Sequence, residues 1–223
     1  MPTLSDPGIV NQFTGDCRNN VFHHWNTLVV TRRAALVHQA ACRALSTCGI
    51  PNPTLQLLGS LNGGGLFDFS TWQLKVDPNS FDGAQPPARA AFVENICTIY
   101  HEARHCEQWF HMARYAAVGH GVTAATLAAS LSIPVTVANT ALTRKMGLAD
   151  PLLALTKGWH ESVYGGQSAF REIALARVGL RRAGHDRLMH AFRNGAHQNY
   201  SGNLPEEADA WGIERLVDAA YPP

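Results

Sequence analysis

The stretch Ile99-Tyr100-His101-Glu102-Ala103-Arg104-His105-Cys106-Glu107-Gln108 decides how the rest of the chain is read. On a helix, His101 and His105 project from one face one turn apart, so both imidazoles can grip one metal ion. Glu102 lies about 100° round the helix from His101, beside such a metal rather than on it. It is placed to take a proton from a water activated there. A chain with this many histidines and glutamates is expected to contain an HExxH by chance only roughly 0.02 times. His160-Glu161 makes a contrast, because Tyr164 stands where a second histidine would be. The bland alternative is a pair of polar residues on the outer side of an amphipathic helix. Ile99, Tyr100 and Ala103 around them favour a buried setting instead. Cys106 points about 100° away from His105 and reads as core.

Working outward, Ala88 to about Val118 carries Phe92, Ile96, Ile99, Ala103, Phe110 and Ala113 along one stripe of a long helix. Before it, Asp77 to Pro87 holds three prolines and Gly83 and reads as a loop. Between Thr54 and Asp77, Leu55/Leu57, Phe67/Phe69 and Trp72/Leu74/Val76 alternate with other residues. Asn62-Gly63-Gly64-Gly65 can turn, so this is a hairpin or small sheet, with an offset at Ser70-Thr71. Thr31 to Thr47 is helical, with Val37, Ala40, Ala41, Ala44 and Leu45 on one face and Gly49 as the stop. Further helices are expected over Val122–Leu131, Val135–Arg144, Gln167–Arg182, His185–Arg193 and Glu206–Ala220. The layout is α+β in one domain. Its parts are an N-terminal helical part (1–53), a small sheet and loop (54–87), the HExxH helix (88–118) and a further helical part (119–223).

The 223 residues are 46% hydrophobic and 16% charged, enough for a sizeable core and inconsistent with disorder. A net charge of +1 argues against nucleic acid as a partner, which needs a concentrated basic surface. Arg32-Arg33 and Arg181-Arg182 read as solvated helix faces. Five cysteines without framework spacing read as reduced thiols. Tyr115 to Thr143 lacks Asp, Glu, Lys and Arg, yet it is mostly small residues interrupted by Gly119, Gly121 and Pro134. It reads as two buried helices broken at Ser132-Ile133-Pro134, not as a membrane span. Met1 to Asn11 shows no secretory signal, so a cytoplasmic product is expected at synthesis.

The pattern Ile99 to His105 resembles the active-site helix of the zincin metallopeptidases, and the strand-loop-helix order before it is similar to theirs. The resemblance implies a zincin-like fold, a Zn2+ cofactor, a peptide or protein substrate, and a cleft rim made by the strand Trp72 to Asp77. The metzincin extension, a third histidine six residues after the second, is read as absent. A zinc hydrolase takes three protein ligands and a water, and two histidines with a glutamate is a standard set. Pro205-Glu206-Glu207-Ala208-Asp209-Ala210-Trp211 resembles the glutamate-bearing helix of gluzincins, and more closely that of peptidase domains in bacterial toxins and injection-system effectors. Matching Ala210-Trp211 to that ending implies Glu207 as third ligand and Asp209 as the acid that orients a ligand histidine, with Glu206 the alternative ligand. Trp211 stands where the commoner gluzincin form has an Asp. His160, Tyr164, His197 and Tyr200 are eligible to stabilise an oxyanion. The implied function is a zinc metallopeptidase with Glu102 as catalytic base, exported as an effector by a specialised secretion system. An inhibitor or delivery-system partner is left unidentified. The other readings are a non-catalytic zinc-binding structural or interaction module and a metal hydrolase of non-peptide amides.

Overall fold

A computed structural model describes residues 1–61, 64–168 and 204–221. Seven α-helices occur among them: α1 (Pro7–Asn20), α2 (Val30–Thr47), α3 (Arg89–Ala116), α4 (Ala124–Leu131), α5 (Val135–Thr143), α6 (Leu153–Tyr164) and α7 (Pro205–Ala220). Three short strands, β1 (Thr54–Leu57), β2 (Gly65–Asp68) and β3 (Gln73–Val76), form one sheet, so the class is α+β. The helix expected over Gln167–Arg182, beyond its first two residues, and that over His185–Arg193 lie outside the described residues.

α3 is the axis of the molecule. At 28 residues it spans about 42 Å, and α2, α5, α6, α7 and the sheet pack round it. From Ile99 to Arg114 every residue is buried except Glu102. A helix buried on all sides needs its charges paired. Arg104 pairs with Glu107 and Asp209, and Arg114 with Asp150 at 2.9 Å. Glu107 also accepts the Leu4 N–H, and the Tyr100 hydroxyl donates to the Leu4 carbonyl, so the N-terminal segment is clamped to α3.

The sheet order is β1-β3-β2, with β1 parallel and β2 antiparallel to β3. The strand over Trp72–Asp77, expected at the cleft rim, is therefore the central one. Both its edges are already bonded, and only an edge strand has backbone groups to offer a ligand. β2 is the strand that lies on α3. Gly65 makes this approach possible, because a Cβ there would meet Thr98 Cγ2 at 2.9 Å and Glu102 Cγ at 3.1 Å. Trp72 is not a strand residue but a turn residue with φ of 54°, fixed by its indole N–H donating to Pro51 O at 2.9 Å. The Asp68 carboxylate caps the same turn through Ser70 and Thr71.

Elsewhere the helix periodicity holds. α2 buries the five residues of its expected stripe and stops at Gly49, whose φ of +70° a side chain would strain. α4 and α5 are separate helices bent by 117° at Ser132–Pro134, where Ser132 takes the left-handed conformation. No single described helix is long and apolar enough to cross a membrane; this bent pair passes that test by length and composition together. α1 and α6 were not anticipated as individual helices. Arg33 is not on a solvated face as expected: it is 5% exposed, stacked over Trp25, and donates to the carbonyls of Trp25, Phe81 and Gly83. Four hydrogen bonds to neutral carbonyls let the guanidinium be buried without an acid. Arg181-Arg182 lies outside the described residues.

Candidate metal centre

α3 supplies His101 and His105 by helical geometry alone, and α7 brings Glu207 to meet them. Pro205 at the first helical position and two acids in the first turn suit the start of α7. Ala210, Ile213 and Val217 then bury one side of it, and α7 packs chiefly on α3. The Nε2 atoms of His101 and His105 lie 3.0 Å apart. Glu207 reaches both: Oε2 is 3.7 Å from His101 Nε2, and Oε1 is 3.5 Å from His105 Nε2. Donor atoms held tetrahedrally at zinc-ligand bond lengths of about 2.0–2.1 Å are separated by about 3.3 Å, so this set has the spacing a small divalent ion requires. The three residues are nearly inaccessible, at 7%, 7% and 6% exposure. His101, His105 and Glu207 thus form a buried group that can hold a metal ion.

The ring nitrogens facing away from the centre have partners that sequence reasoning missed. Gln108 donates its amide to Glu206 O at 2.8 Å and to Asp209 Oδ2 at 2.7 Å. Its Oε1 therefore faces His105 Nδ1, 2.8 Å away, and accepts from it. That fixes the neutral tautomer with Nδ1–H, leaving the Nε2 lone pair for a metal. Glu214 Oε1 lies 2.8 Å from His101 Nδ1 as an ion-pair contact. Asp209 is not the direct partner of a ligand histidine. It accepts two hydrogen bonds from Arg104, at 2.7 and 3.1 Å, and reaches His105 only through Gln108. The missing signals were spacings: Glu214 is two turns after Glu207, and Gln108 is three residues after His105.

No family model, curated protein or solved structure matches the chain. His111 does stand six residues after His105, the spacing that the sequence reading took to be absent. It does not join the centre. α3 runs unbroken to Ala116, so six residues of helix turn His111 about 240° from His105. Its Nδ1 instead lies 2.9 Å from Arg114 Nη1. Glu206, the alternative ligand, is fully buried, and its carbonyl serves Gln108. Cys106 is core, with its thiol toward Pro51 O.

Glu102 is half-buried and stands apart from the ligand set. The backbone N–H of Phe67 donates to its Oε2 at 2.6 Å, so β2 holds this carboxylate in place. Both ligand histidines feel its charge. Burial alone would lower the His101 pKa; Glu207, Glu214 and Glu102 outweigh it and push it up to about 10. Burial also opposes protonation of His105, and Glu207 again reverses the direction and raises it. The 44% exposed Trp211 packs edge-on against His101, 5.3 Å between centroids. Of the residues eligible to stabilise an oxyanion, Tyr164 already donates its hydroxyl to Leu131 O, and His160 sits between Tyr115 and Tyr164. His197 and Tyr200 lie outside the described residues.

Proposed function

We propose that this protein is a zinc-dependent metallopeptidase on a gluzincin-like variant of the zincin fold. His101, His105 and Glu207 hold the zinc, and Glu102 is the general base. The observation that carries the reading is the one open position between Ile99 and Arg114: Glu102, beside three converging ligand atoms. A closed structural site has no use for an accessible carboxylate there. Zinc, when bound, supplies a Lewis acid that polarises a carbonyl and acidifies a water.

The protein's own groups do the rest. Phe67 N–H fixes one oxygen of Glu102, and the other is left to take the proton of the attacking water and return it to the leaving amine. Gln108 and Glu214 keep the two imidazoles turned so that their Nε2 atoms face the zinc. The Phe67 N–H points away from β3, so the outer edge of β2 faces the same side as Glu102. An extended peptide laid along that edge brings its carbonyl within reach of the base.

The test is hydrolysis of an unfolded protein such as casein by zinc-loaded enzyme, beside Glu102→Gln. That variant keeps size and hydrogen bonding but cannot act as base. About one zinc should be retained while turnover falls by about 10²- to 10⁴-fold. Full activity in the variant overturns the mechanism, and loss of zinc would make Glu102 a ligand instead.

A further inference from the structure

One turn along α3 from Glu102, toward its N-terminus, the protein has a cavity of about 190 Å³. Gly64 just before β2, Ser80, Phe81, Glu94, Asn95 and Thr98 line it, with Ile99. Small-molecule sites run to about 300–1,000 Å³, so this one has the size for a single side chain. Its chemistry is one-sided. Asn95 donates one of its two amide hydrogens to Ser80 O, and Thr98 donates its hydroxyl hydrogen to Glu94 O. Of the lining residues only Glu94 is charged, and the Asn95 carbonyl oxygen and the Thr98 lone pairs are acceptors beside it. Among the described residues no cation pairs with Glu94, which is exposed. A pocket whose one charge is an unneutralised carboxylate favours a cationic side chain.

Its place on the helix sets the register. Thr98 is about 6 Å and Asn95 about 10 Å along the axis from Glu102. An extended chain rises about 3.3 Å per residue, so those distances correspond to two or three residues. We propose that this cavity is a specificity pocket for one lysine or arginine side chain of the substrate, two or three residues from the bond that is cut. The inference rests on the peptidase reading and names the class of substrate.

The experiment uses full-length protein and paired peptides in which one lysine is exchanged for norleucine at each position in turn. Zinc-loaded enzyme should prefer lysine over norleucine at one position only, by about three- to tenfold. Glu94→Gln should bring that ratio to about one, and Glu94→Lys should invert it, with zinc content as the control for folding. A second arm measures binding of the same peptides to the Glu102→Gln protein by fluorescence anisotropy, where no turnover is needed. Cleavage with no preference, or with a preference that survives Glu94→Gln, overturns the pocket and leaves the peptidase standing. Glu94-dependent binding of lysine peptides with no cleavage by wild type overturns the peptidase and leaves the pocket. Neither preference in cutting nor preference in binding overturns the pocket outright.

Discussion

A histidine surrounded by three carboxylates holds its proton. In the metal-free protein His101 titrates near 10 because Glu207, Glu214 and Glu102 outweigh the effect of burial. The folded pKa lies above the ordinary 6.5, so protonation of His101 favours the folded state. This contribution is complete below about pH 6.5 and is lost as the pH rises through 10. Stability of the metal-free protein should therefore decline over that window, as urea denaturation at several pH values will show. A metal must displace the same proton to reach Nε2. Zinc added at pH 8 should release at least one proton, read from calorimetric titrations in buffers of different ionisation enthalpy. Buffer-independent heats would mean that His101 is already neutral and that the carboxylates do not act on it as the geometry requires.

At the scale of elements, the centre is a clasp between α3 and α7. Glu207 belongs to the group that can hold a metal, Asp209 to Arg104 and Gln108, and Ala210, Ile213 and Val217 to the apolar seam. Glu207→Ala removes a ligand and should leave zinc well below one equivalent under mild chelation. Gln108→Ala and Glu214→Ala remove no ligand but take away the partners that orient the imidazoles, so zinc affinity should fall by about 10- to 100-fold without vanishing. Equal losses in all three variants would make Gln108 and Glu214 more than orienting groups. Sequence made part of this clasp legible. The helix start at Pro205 and the glutamate register were readable, whereas the partners of the two Nδ1 atoms were not. The partner of His101 is set by how α7 is rotated against α3, which no local pattern encodes, whereas that of His105 comes from α3 itself.

For the molecule as a whole, a metal in this clasp ties together residues about a hundred positions apart in sequence. In the unfolded chain the same three ligands come together only at the entropic cost of closing that loop. Zinc present at a hundredfold excess over its dissociation constant stabilises the fold by about 2.7 kcal/mol. For a protein of this length that corresponds to roughly 5–10 °C in Tm. Chelation should lower Tm by that amount, and Glu207→Ala should show no such shift. An unchanged Tm after verified metal removal would contradict a ligand set that exists only in the folded state.

What was legible in the residues is what local geometry dictates. Four residues of helix put His101 and His105 on one face whatever surrounds them, and alternation marked the strands. Only the tertiary structure decided which strand is the edge, because Trp72 to Asp77 alternates equally well in the middle of a sheet or at its rim. It also decided that Arg33 is buried among carbonyls, that Glu206 lies inside, and that His111 is turned from the centre by a helix that does not break. Each of these depends on what a second element, distant in sequence, places against the first. A helix carries its own angular spacing, but the company its faces keep is settled only by packing.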